Sequence, residues 1–142
     1  MTSQSKINSE LNRIAKTVKL IEHYQKQPVW NEAETSGISN FLANIYGGYE
    51  RILTIILEDK GIRLPKSESW HFNLLVKSVE NNIVPIELKE TFSGLLSYRH
   101  FHIHGYGFEI KEGWLRENAV EVVNTFPAFV KHINDLLTDI VQ

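Results

Sequence analysis

The residues richest in chemistry lie in one short run, Arg99-His100-Phe101-His102-Ile103-His104-Gly105-Tyr106. Three of the chain's 6 histidines alternate there, bracketed by an arginine and a tyrosine. Imidazole is the side chain best suited to moving protons near neutral pH, and a fixed guanidinium can grip a phosphate through paired hydrogen bonds. Arg99 and His104 together suit cleavage of a phosphodiester that carries its own nucleophile, as RNA does in its 2′-OH. Such a reaction needs a base for the hydroxyl proton and a cation for the charge on the phosphate, and it proceeds without metal.

Each of these residues also has a plainer reading. Arg99 falls in the apolar stripe Leu88, Phe92, Leu95, Leu96, Arg99, Ile103, where it can lay its stem on the core and keep its head in water. Tyr106, seven positions later, returns nearly to the same helix face and can be a packed aromatic. His100 and His102 can be packing residues. A metal site is suggested by His100 and His104 at i,i+4, but no glutamate lies between them, His102 faces elsewhere and no third ligand is evident, so no metal or other cofactor is expected. A straight helix also sets Arg99 and His104 about 140° apart around its axis. They can converge only if the helix loosens near Gly105 or a second subunit completes the site.

A second polar feature is Tyr46-Gly47-Gly48-Tyr49-Glu50-Arg51. Glycine inside a helix costs about 1 kcal/mol relative to alanine. Two in succession imply close approach of another helix, with the one bearing Arg99 as the candidate. Glu50 and Arg51 can form a surface pair, or one of them can orient a catalytic side chain.

The elements that must position these groups are helical throughout. Ile7, Leu11, Ile14, Val18 and Ile21 make one stripe, ended by Gln27-Pro28. Asn31 with Glu34 reads as a capping box for a second helix, whose stripe runs Ile38, Phe41, Leu42, Ile45, Tyr49, Ile52, Leu53, Ile56 to Gly61. A short third helix is predicted from near Ser67 through Trp70, Leu74 and Leu75. Pro85 opens the fourth, which bears Arg99 and ends at Gly105 and Gly107. A fifth carries Leu115, Ala119, Val122, Val123, Phe126, Val130, Ile133, Leu137 and Ile140, with Pro127 expected to kink or split it. Phe108 to Lys111 alternates but is too short to found a sheet. The expected fold is an all-α antiparallel four-helix bundle with one additional helix, as a single domain over 1–142.

Composition narrows the function. At 142 residues with 42% hydrophobic content the chain can build one core, and with no cysteine it has neither disulfides nor thiolate metal sites. No apolar run follows Met1 to Lys6 and none reaches the length of a membrane helix, so a cytoplasmic protein with no membrane partner is expected. The net charge of −2 rules out a uniformly basic nucleic-acid surface, so any RNA role must use a local cationic pocket.

The spacing Arg99-x4-His104-x-Tyr106 resembles the R-x4-H-x-Y signature of the HepT-like HEPN ribonuclease toxins. The likeness extends to Phe41–Arg51 (FLANIYGGYER), where Gly48, Glu50 and Arg51 match a Gly-x-Glu-Arg-type ending, to Trp70-His71-x-x-Leu74-Leu75, and to Tyr98-Arg99-His100 through Gly105-Tyr106-Gly107-Phe108, covering roughly residues 35 to 140. The resemblance implies a HEPN-like homodimer with the R-x4-H elements of both subunits in a cleft. It implies a metal-independent endoribonuclease, the toxin of a type VII-like toxin–antitoxin pair. The cognate minimal nucleotidyltransferase antitoxin would transfer AMP to Tyr106, adding charge and bulk where substrate phosphate sits. Arg99 and His104 would be catalytic, with Glu50, His100 and His102 as supporting candidates. His100 and His102 exceed the motif's minimum. The alternative is a non-catalytic helical module that binds a nucleotidyltransferase or its nucleotide. Tyr98, Phe101 and Trp114 are candidates for stacking RNA bases, a role that helix cores also ask of aromatics.

Overall fold

The computed structural model describes residues 2–106 and 111–141, with side chains to 104 and from 111 to 139. The predicted helix exit at Gly107 and the stretch Phe108 to Ile110 lie outside the described residues.

α1 (Ser3–Gln25) starts at Thr2, whose hydroxyl accepts from the Ser5 amide, and buries the predicted stripe Ile7, Leu11, Ile14, Val18 and Ile21. α2 (Glu32–Asp59) begins with the capping box: Glu34 N donates to Asn31 Oδ1 at 2.8 Å and Asn31 N to Glu34 Oε1 at 3.0 Å. It ends at Gly61, whose φ of 81° lets Ile62 N reach Leu57 O and Gly61 N reach Glu58 O, both at 2.9 Å. α3 (Trp70–Glu80) starts later than the spacing suggested, because 67–69 form a turn closed by Trp70 N to Ser67 O. Asn82 closes α3 as Gly61 closes α2, at φ 57°. A 3-10 turn (Ile86–Leu88) after Pro85 leads into α4 (Lys89–Phe101), which passes into a π-helical turn (His102–Tyr106). α5 (Glu112–Val141) runs unbroken through Pro127.

α1, α2, α4 and α5 pack in the cyclic order α1–α2–α4–α5, with α2 and α5 also touching across the bundle, and α3 packs outside against α2 and α4. The residues between α1 and α2 are too few to span the roughly 34 Å of a 23-residue helix, so those helices run antiparallel. The result is an all-α four-helix bundle with an additional helix, with no strand among the described residues. Its core is one cluster, centred on Tyr49, Phe92 and Phe129. Tyr49 stacks on Phe92 at 4.9 Å and meets Phe129 at 4.7 Å. Among the described residues, no helix is long and apolar enough to cross a membrane.

The adjacent glycines Gly47 and Gly48 of α2 differ from the sequence expectation in their partner. A Cβ at Gly48 would lie 2.9 Å from Cγ1 and Cδ1 of Ile14, so the close approach is made by α1 and not by the helix bearing Arg99. Gly47 meets only the Arg51 guanidinium. Ile14 is buried and has little room to yield, so Gly48→Val should destabilise the fold by about 2–3 kcal/mol through overpacking. Gly37→Ala, where a Cβ meets nothing within 4 Å, should instead gain about 0.5–1 kcal/mol. Urea denaturation midpoints for the two variants must move in opposite directions.

Candidate functional site

α4 does not end in a turn of its own pitch. Over His102–Tyr106 it widens to π geometry, in which backbone bonds link residues five apart. Five is the spacing of Arg99 and His104. Widening reduces the rotation per residue and brings His104 back toward the face of Arg99. Both side chains line one cavity of about 920 Å³, together with His71, His100, Phe101 and Trp114 among others. The widening also explains why Ile103, assigned by spacing to the apolar stripe, is 53% exposed. The buried face of α4 is Phe92, Leu95 and Tyr98.

Arg99 stands at the edge of that face and points toward Glu50 on α2. Glu50 is nearly inaccessible, and its two carboxylate oxygens serve two partners. Oε2 accepts from His71 Nδ1 at 2.7 Å, and Oε1 lies 4.0 Å from Arg99 Nη1. Glu50 and Arg51 are not paired with each other. They turn to different partners, and Arg51 Nε donates to Glu10 Oε1 on α1 at 2.9 Å. Tyr46 lies close enough to feel the same charges. Burial first, and then Glu50, push its phenol far above the usual range, while Arg99 opposes.

The remaining residues of the run separate. The rings of His100 and His104 meet at 4.2 Å between centroids, as their i,i+4 spacing favours, and both face the cavity. His102 turns inward instead. Its Nδ1 is 2.9 Å from Ser39 Oγ, which in turn accepts a short hydrogen bond from the Tyr98 hydroxyl. Burial raises the Tyr98 phenol to about 12, with the Ser39 bond opposing. Tyr106 closes the π turn, and its side chain lies outside the described residues.

Arg99 and His71 also line a second cavity of about 550 Å³ with Lys6, Arg13, Arg51 and Lys66. This is the local cationic pocket that the overall charge of −2 requires of any nucleic-acid role. Glu10 and Glu50 are its acidic members. No group of three His, Asp or Glu side chains among the described residues is arranged to hold a metal ion.

His71 is the site residue that sequence reasoning passed over. It lies 21 positions from Glu50, on another helix, so no local spacing links them. The available signal was a lone histidine on the short helix of the Trp70-His71-x-x-Leu74-Leu75 stretch.

A helical bundle with its polar groups gathered where one helix widens defines the class of protein. The chain matches the family model described as HepT-like protein over residues 37–140, and it belongs to that family. The family is generally of the ribonuclease type and acts in toxin–antitoxin pairs. No curated protein matches the chain.

Proposed function

We propose that this protein is the toxin of a type VII-like toxin–antitoxin pair, a metal-independent endoribonuclease held in check by a cognate minimal nucleotidyltransferase. The observation that carries the reading is the shared cavity of Arg99 and His104 at the widened end of α4. His104 takes the proton from the 2′-OH, and Arg99 holds the phosphate oxygens as negative charge builds on them. Four further cations in the adjoining cavity give the flanking phosphates somewhere to bind. Phe101 and Trp114 on the cavity wall offer faces for bases.

A homodimer fits the same surface. Phe72 and Ile103, 61% and 53% exposed, flank the cavity and form an apolar rim suited to a second copy. AMP transferred to Tyr106 brings a phosphate to the end of the turn that carries His104. It competes for Arg99 through charge and for the cavity through bulk.

The test is RNA cleavage by purified, unmodified protein in the presence of EDTA. His104→Ala should reduce the rate by about 10²–10⁴-fold, the usual worth of a positioned proton-transfer group. Equal cleavage by wild type and a folded His104→Ala variant overturns the reading. Binding of the nucleotidyltransferase without any RNA cleavage supports a non-catalytic module instead.

A further inference from the structure

Cleavage by the 2′-OH needs two proton transfers at two different atoms. One group must accept the hydroxyl proton, and another must supply a proton to the 5′-oxygen as it leaves. The run from Arg99 to Tyr106 offers His104 for the first. For the second, we infer that His71 is the general acid, held by Glu50 as its positioning residue; this rests on the ribonuclease reading above.

Three observations carry it. His71 lines the same cavity as Arg99 and His104 but comes from α3, so it reaches the phosphate from a separate element. Its Nδ1 is committed to a carboxylate at 2.7 Å, which fixes the ring's orientation and tautomer and leaves Nε2 as the free nitrogen on the opposite edge. The ring is 40% exposed while the carboxylate behind it is 6% exposed, so the ring can meet a ligand and its support is shielded. Glu50 also balances the charge of a ring carrying both protons. The other described histidines of the region are less suited. His102 is tied to Ser39 inside the fold, and His100 meets the ring of His104 with no carboxylate among the described residues against it.

The step balances without a co-reactant. The 2′-oxygen forms a bond to phosphorus and its proton passes to His104. The bond from phosphorus to the 5′-oxygen breaks, and that oxygen takes the proton from His71 Nε2. The products are a 2′,3′-cyclic phosphate and a 5′-hydroxyl, and proton exchange with water restores both histidines.

A leaving-group substitution tests the assignment. An RNA oligonucleotide with sulfur in place of one bridging 5′-oxygen has a leaving group that departs without protonation. His71→Ala should cleave the ordinary oligonucleotide about 10²–10⁴-fold more slowly than wild type, and the sulfur-substituted one at close to the wild-type rate. His104→Ala should be slow on both. Glu50→Gln should follow His71→Ala in direction with a smaller loss, because a neutral amide still bonds the ring. The inference is overturned if His71→Ala is equally slow on both substrates, which marks a structural role, or as fast as wild type on both. It is overturned as well if sulfur rescues His104→Ala instead, since the two roles are then exchanged. If folded wild-type protein cleaves neither oligonucleotide, the ribonuclease reading itself falls.

Discussion

Protein carrying Arg99→Ala is expected to keep its fold and to cleave RNA about 10²–10³-fold more slowly than wild type, the loss typical of removing one donor from a charge-stabilising site. The fold should survive because Glu50 does not depend on Arg99. The guanidinium approaches Oε1 only to 4.0 Å, while the shorter bond, 2.7 Å to Oε2, comes from His71. Losing Arg99 therefore leaves the buried carboxylate with its better partner. The same looseness leaves the guanidinium's donors available to phosphate. Arg99→Lys should recover little, since an ammonium lacks the planar fork that meets two phosphate oxygens at once. Single-turnover cleavage rates together with circular dichroism decide the matter. A folded Arg99→Ala variant with unchanged rate contradicts the assignment, and an unfolded one contradicts the account of Glu50.

Alkaline pH should unfold the protein cooperatively. Burial raises the phenols of Tyr46, Tyr49 and Tyr98, the last to about 12 against an ordinary value of 10. Each folded-state value lies above the unfolded one, so the neutral phenol favours the native state. That contribution is complete below pH ~10 and drains away as the pH climbs toward the folded value. Tyr98 alone forfeits roughly 2 kcal/mol by pH ~12, since each unit of pKa difference is worth about 1.4 kcal/mol. Tyr46 and Tyr49, shifted further, go on subtracting beyond that. Against a total stability of about 5–15 kcal/mol, three such losses are decisive. Tyrosinate absorbance and helical circular dichroism, followed together, should change in one step above pH ~10. Full tyrosine ionisation with the helical signal intact refutes this, and Tyr98→Phe should flatten the curve.

The helices and their ends were legible in the sequence because the forces that set them are local. The 4-3-4-3 stripe of α1, the Asn31–Glu34 box and the stop at Gly61 each involve residues within a turn or two of one another. The general sense of the fold follows from the same patterns joined by short connections. Spacing also isolated the chemistry-bearing run and posed its geometric difficulty, the angle between Arg99 and His104.

Tertiary structure decided what local spacing could not. Where α4 widens, His102 bonds Ser39, 63 positions away, and stacks on Tyr98, contacts that no local spacing reveals. The helix that needs Gly48 to be small proved to be α1, because Ile14 and not α4 lies over it. Glu50 and Arg51 are neighbours in sequence, yet they take different partners, one bonding His71 and facing Arg99 and the other bonding Glu10 of α1. A sequence specifies which side chains a helix presents and in what order around its axis. Which of them meet depends on how whole helices settle against one another, and that is fixed by the summed packing of the core.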